Sequence, residues 1–144
     1  MNFNKFTIKS QEAIQAGQQI AQNFEHQQIE NSHILKGIFE VDENVTPFIL
    51  KKLGVNIDLF KTLIDKTLES YSKVTGGEIM LSRDASKMLN TATNEAKKMN
   101  DEYVSIEHLL LAIFNTKDTT SQILKDQGVT EKGLKSAIEE LRKG

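Results

Sequence analysis

His33-Ile34-Leu35-Lys36-Gly37-Ile38-Phe39 and His108-Leu109-Leu110-Leu111-Ala112-Ile113-Phe114 are two versions of one segment, HILKGIF and HLLLAIF, set 75 positions apart. Moving outward at the same offset, Thr7 falls on Ser82. With one residue deleted, Ile49-Leu50-Lys51 then meets Ile123-Leu124-Lys125, Gly54-Val55 meets Gly128-Val129, and Ile64 meets Ile138. The matches stay in order along the chain, so it is an internal repeat, and each copy is read as one structural unit.

The punctuation inside each copy predicts four helices. In the first, Ala13, Ile14, Gly17, Ala21 and Phe24 fall on one helical face, and the counterpart carries Ala85, Met88, Leu89, Ala92, Ala96 and Met99. Thr7 and Ser82 precede these stripes, where a hydroxyl can accept from an unpaired amide of the first turn. The HILKGIF and HLLLAIF segments form the second helix of each copy, expected to be the most buried, with Ser105 capping the latter. Thr46-Pro47 and Thr120 read as caps of the third helix, which Gly54 and Gly128 end in the left-handed conformation. Asn56 and Thr130 cap the fourth, followed by Asp58 and Glu131 on the favourable side of the helix dipole.

The stretch 70–80 carries Gly76-Gly77 and has no helical period, so it is the connection. The expected organisation is a single domain over 1–144, with repeat one at about 3–70, a linker at about 71–80 and repeat two at about 81–142. A unit of about 65 residues can seldom supply enough core by itself, so the copies are expected to pack as a pseudo-twofold pair. The fold class is all-α. One Pro, no Trp and an abundance of Ala, Leu, Ile, Lys, Glu and Gln agree with it.

Composition narrows the function classes. The 18 Lys+Arg against 20 Asp+Glu give no field that would draw in phosphate backbones or anionic lipid, so neither nucleic acid nor membrane is expected as a partner. Without cysteine the chain has no disulfide, no thiolate metal site and no cysteine nucleophile, which fits a reducing compartment. Residues 1–10 hold Lys5 and Lys9 but no apolar run of signal-peptide length, and no segment is long enough to span a bilayer; a cytoplasmic location is expected. With no heptad or long apolar face left over, a monomer is expected.

The residues offer no chemistry of their own. No phosphate-binding G-x-x-x-x-G-K-[ST] occurs, and Gly76-Gly77 stands before Glu78 with no lysine following. His26, His33 and His108 lack the i, i+4 spacing of a helical zinc site, so no metal is expected, and the repeat-equivalent His33 and His108 read as hydrogen-bonded helix-start residues. No serine or threonine is marked by a base and an oxyanion-binding turn, and Asp101-Glu102 and Glu139-Glu140 read as solvated charge. No catalytic residue is expected. A helical scaffold with grooves between its elements points instead to recognition of peptide segments.

The opening FNKFTIKSQEAI, the paired H-[IL]-L-x-x-I-F segments, the linker SKVTGGEIMLS and the run DEYVSIEHLLLAIF together resemble the double Clp N-domain of the Clp AAA+ unfoldases over the whole chain. The linker and Leu81-Ser82 look most like the ClpB disaggregases. The resemblance implies a non-enzymatic, substrate-engaging domain that makes first contact with unfolded or aggregated protein. ATP and Mg, the ATPase ring and the region that meets the DnaK system would lie outside these residues. It also implies substrate contacts at Thr7, Asp101 and Glu107, and a flanking groove at Leu89, Thr91, Glu95 and His108, three of which are polar here. Thr7 as a cap, Asp101 as the close of a loop and Glu107 as a dipole partner are the plainer readings. Relatives of ClpC type read phosphoarginine with a glutamate before each repeat histidine; Glu107 fits and Ser32 does not, so a two-site phosphoarginine reader is not expected. Binding of a folded adaptor, as in ClpA- or ClpC-type N-domains, is the alternative that the resemblance leaves open.

Overall fold

The computed structural model describes residues 2–144. Eight helices follow in order: α1 (Ile8–Asn23), α2 (Asn31–Val41), α3 (Val45–Lys52), α4 (Ile57–Ser70), α5 (Arg83–Lys98), α6 (Ile106–Asn115), α7 (Thr119–Asp126) and α8 (Glu131–Lys143). Their starts are chemically local. Thr7 Oγ1 accepts from Ser10 N–H at 3.1 Å and Ser82 Oγ from Ala85 N–H at 3.0 Å, while Asn56 and Thr130 accept from Leu59 and Gly133. Gly54 and Gly128, at φ of 74° and 90°, end α3 and α7 as expected.

Two of the expected caps are displaced. Thr46 and Thr120 lie inside the first turns of α3 and α7, and both are buried. At α3 the Asp42 carboxylate accepts from the amides of Asn44, Val45 and Thr46 and from the Thr46 hydroxyl. At α7 Asp118 accepts from Ser121 N–H at 2.9 Å. A carboxylate takes several donors at once and suits the positive end of the helix, so it outcompetes a neighbouring hydroxyl.

The purely helical expectation meets a small exception that matters. β1 (Gln28–Ile29) pairs in parallel with β2 (Met80–Leu81), and Phe6 bridges Val104. Thr7 N–H donates to Val104 C=O at 2.9 Å and Ser82 N–H to Ile29 C=O at 3.0 Å. An offset of 75 residues converts one bond into the other with the halves exchanged, the pattern a twofold relation between the copies requires. Extended segments leave backbone groups that need partners, and each half finds them on the other.

The buried residues of both halves form a continuous hydrophobic cluster. Ile34, Leu35 and Ile38 of α2 and Leu109, Leu111 and Ile113 of α6 are fully inaccessible. Helix α6 meets α1, α2 and α3 of the first half as well as α5, α7 and α8 of its own, and α3–α8 and α4–α7 contacts close the seam.

Helices α1 and α2 approach at backbone distance. A Cβ on Gly37 would lie 2.4 Å from Ala13 O and 2.8 Å from Gly17 N. The second copy has Ala92 and Ala112 at the positions of Gly17 and Gly37, so its helix pair is spaced for methyl groups. Gly37→Ala is therefore expected to lower unfolding stability by about 2 kcal/mol or more, read by urea denaturation, because the clash is with backbone that cannot swing aside. A loss below about 0.5 kcal/mol would show that the close approach is not rigid.

Candidate functional site

The site is built by how the first helix of each half ends. Asn100 after α5 and Glu25 after α1 both adopt φ of 61°, and Asp101 N–H and His26 N–H then reach back to Ala96 C=O and Ala21 C=O at 2.9 Å. This left-handed turn aims the side chain that follows it at the start of the next helix. In the second half that side chain is Asp101, and in the first it is His26.

His108 sits in the first turn of α6, where its Nδ1 accepts from Ser105 N–H at 2.9 Å. The ring proton is thereby left on Nε2, which donates to Asp101 Oδ2 at 2.7 Å. Arg142, from the last turn of α8, donates Nη2 to the same Oδ2 at 2.7 Å and Nη1 to Oδ1 at 3.3 Å, and Nη2 stands 3.4 Å from Glu107 Oε2. Donation from Arg142, with a smaller share from His108, outweighs burial and holds the Asp101 carboxyl below the usual range. Two carboxylates share one guanidinium, so the cluster keeps an excess of acceptor capacity.

The equivalent place in the first half holds no carboxylate. His33 Nδ1 accepts from Glu30 N–H at 2.8 Å, and its Nε2–H donates to His26 Nδ1 at 2.9 Å. His26 then carries its proton on Nε2, which is buried with no partner. Tyr71 packs against both rings and shares a 2.8 Å hydrogen bond with Ser32. Burial, reinforced by His26, pulls the His33 imidazole down to about 4, and burial with nearby Lys73 also lowers His26. Among the described residues no group of three or more His, Cys, Asp or Glu is placed to hold a metal ion.

Asp101, Glu107 and His108 thus come together as a cluster, and Arg142, absent from the sequence reading, joins them. Thr7 stands beside it, its amide bonded to Val104 in the loop that carries Asp101. Glu95 and Arg142 line a groove of about 900 Å³ between α5 and α8. Thr91 is half-buried on α5, and Leu89 lies wholly inside the core with no surface to offer a groove. The apolar surface is elsewhere: Ile8 and Tyr103, 77% and 46% exposed, flank the Thr7–Val104 bond. Their hydrophobicity was visible in the sequence, their exposure was not.

The Clp repeat (R) N-terminal domain family matches residues 5–141. The chain belongs to that family. It is 54% identical over 144 residues to the chaperone protein ClpB of Bacteroides thetaiotaomicron and 44% identical to that of Porphyromonas gingivalis, aligning over its whole length in both cases. It spans 17% of the length of each of these relatives. The Hsp104 N-terminal domain from Candida albicans has the same fold, with a TM-score of 0.84 at 21% identity, over 96% of this chain and 92% of that one. The Clp N-domain assignment accounts for the all-helical repeat, and no described helix is long and apolar enough to cross a membrane.

The buried histidines set a pH dependence. With His33 at about 4 when folded against about 6.5 when unfolded, the unfolded chain binds more protons between those values. Stability is then fully present above about pH 6.5 and is lost as the pH falls toward 4, at up to roughly 1.4 kcal/mol per pH unit. Asp118, pushed up by burial, works in the opposite direction, so the comparison with His33→Gln isolates the histidine. Urea denaturation at pH 7 and pH 5 is expected to show a clear loss for the parent chain and a smaller one for the variant; equal losses would place the effect elsewhere.

Proposed function

We propose that this chain is the client-engaging N-terminal domain of a ClpB-type disaggregase, which binds unfolded or aggregated polypeptide weakly and passes it to an ATPase ring on the same protein. The observation that carries the reading is the pairing of exposed Ile8 and Tyr103 with the acceptor-rich Asp101–Glu107 cluster across the Thr7–Val104 hydrogen bond. Apolar side chains and backbone amides are what an unfolded segment exposes, and this surface offers a partner for each. Thr7, Asp101 and Glu107 supply the hydrogen bonds in this reading. The domain itself performs no chemistry, and ATP with Mg is used by the ring. A cytoplasmic setting and a hand-over involving the DnaK system belong to the same proposal.

Burial of a few hundred square ångströms at about 25 cal/mol per Å², less the cost of ordering the client, gives affinity in the micromolar range or weaker. An NMR titration with a permanently unfolded protein is expected to show fast exchange, with shifts centred on residues 5–9 and 101–108. Asp101→Asn, which also loses charge pairing with Arg142 and His108, and Glu107→Gln should both weaken binding severalfold, with the melting temperature little changed for Glu107→Gln. Unchanged binding with a lowered melting temperature would reduce these residues to structural roles, and binding of a folded adaptor alone would favour the ClpA- or ClpC-type alternative.

A further inference from the structure

Arg142 departs from the pattern of its repeat. At the offset that sets Ile64 on Ile138 it falls on Leu68, which is fully buried on α4. The same comparison sets Asp101 against His26 and Glu107 against Ser32, so the second half has three charged side chains where the first has an imidazole, a hydroxyl and an isobutyl group. The structure brings these three together. Arg142 Nη2 is 2.7 Å from Asp101 Oδ2 and 3.4 Å from Glu107 Oε2, so one nitrogen serves both carboxylates. Asp101 Oδ2 also accepts from His108 Nε2–H, which engages both of its lone pairs. Oδ1 accepts from Nη1 at 3.3 Å and keeps one lone pair, and Arg142 reaches only one oxygen of Glu107.

We infer that Arg142 is a positioning residue of the client site: its guanidinium draws Asp101 and Glu107 together and fixes their orientation, so that the acceptor positions it leaves over, on Asp101 Oδ1 and Glu107, receive backbone amides of the bound client. The inference rests on the client-binding reading above and gives that surface its organising residue. Two carboxylates drawn to one nitrogen repel each other, and without a cation between them they separate or one takes up a proton. Either change removes an acceptor. A guanidinium prevents both, because its planar fork fixes two oxygens and its charge is permanent. Hydrogen bonds from Arg142 are the largest influence holding the Asp101 carboxyl below its usual range. Other cations of the surrounding elements are engaged elsewhere: Lys98 stands 3.6 Å from Glu95 and Lys5 3.7 Å from Glu102, while Glu139 adds a negative charge to the groove that Arg142 lines.

The test uses a short capped peptide of leucine, valine, serine and glycine, which carries no charge of its own, titrated by NMR into the 144-residue chain and its variants at pH 7 and pH 5. Arg142→Gln is expected to weaken binding about fivefold at pH 7, the size of one net hydrogen bond. The factor should grow at pH 5, because the Asp101 carboxyl then titrates at a higher pH than in the parent chain, a change that carbon-13 shifts of the carboxyl read directly. Arg142→Lys keeps the charge but not the fork, and should restore most of the Asp101 titration and part of the affinity. A lowered melting temperature for Arg142→Gln with affinity unchanged at both pH values would make Arg142 a structural tie, overturning the inference and leaving client binding standing. Tighter binding by Arg142→Gln would make the guanidinium a competitor of the client, and weaker binding without a shift in the Asp101 titration would make it a direct contact; each result overturns the inference. Failure of the parent chain to bind the peptide would remove the client-binding reading together with it.

Discussion

Each half of this protein completes its backbone hydrogen bonding on the other, and the face that carries Thr7 and Asp101 depends on that exchange. The extended residues before α1 bond to those before α6, and the residues before α5 bond to those before α2. Extended segments only a few residues long cannot satisfy their own amides and carbonyls, so they persist only where a second strand is held in place. The shared core holds it, with α6 in contact with helices of both halves. Thr7 and Asp101 are more than ninety positions apart in sequence, and a single backbone bond from Thr7 to Val104 brings their segments side by side.

The repeat gives two copies of one turn, and the copies differ in the side chain the turn delivers, His26 in one and Asp101 in the other. Both first helices end on a left-handed residue, and both second helices begin with a histidine whose Nδ1 accepts a backbone amide. Where the turn delivers His26, the site closes into buried aromatic packing under Tyr71, and burial makes both imidazoles harder to protonate. Where it delivers Asp101, the site becomes anionic, recruits Arg142 from α8, and remains part-exposed. The exchange of His26 for Asp101, with Glu107 in place of Ser32, separates a buried aromatic cluster from a part-exposed charged one.

Legibility in the sequence followed the range of the interaction concerned. The caps at Thr7, Ser82, Asn56 and Thr130 were readable because each bonds an amide three residues ahead. Thr46 and Thr120 were misread because Asp42 and Asp118, also nearby, are stronger acceptors, and sequence alone does not rank two competing caps. Leu89 shows a different limit. A helical stripe tells which residues share a face, but not that this one has no outer edge. Asp101, Glu107 and His108 were singled out through family resemblance. Arg142 was missed because the pairing that gives it a role spans 41 positions and crosses from α8 to the α5–α6 loop.

The sequence by itself determined the repeat, the number and approximate extent of the helices, and the buried character of the two H-[IL]-L-x-x-I-F segments. Those properties follow from periodicity and from hydrogen bonds closed within a few residues, which no distant part of the chain can alter much. Only the tertiary structure decided which carboxylates are paired with which cations and which apolar side chains reach the surface. Burial and charge pairing are properties of a side chain's surroundings, and those surroundings exist only once α5, α6 and α8 are packed together.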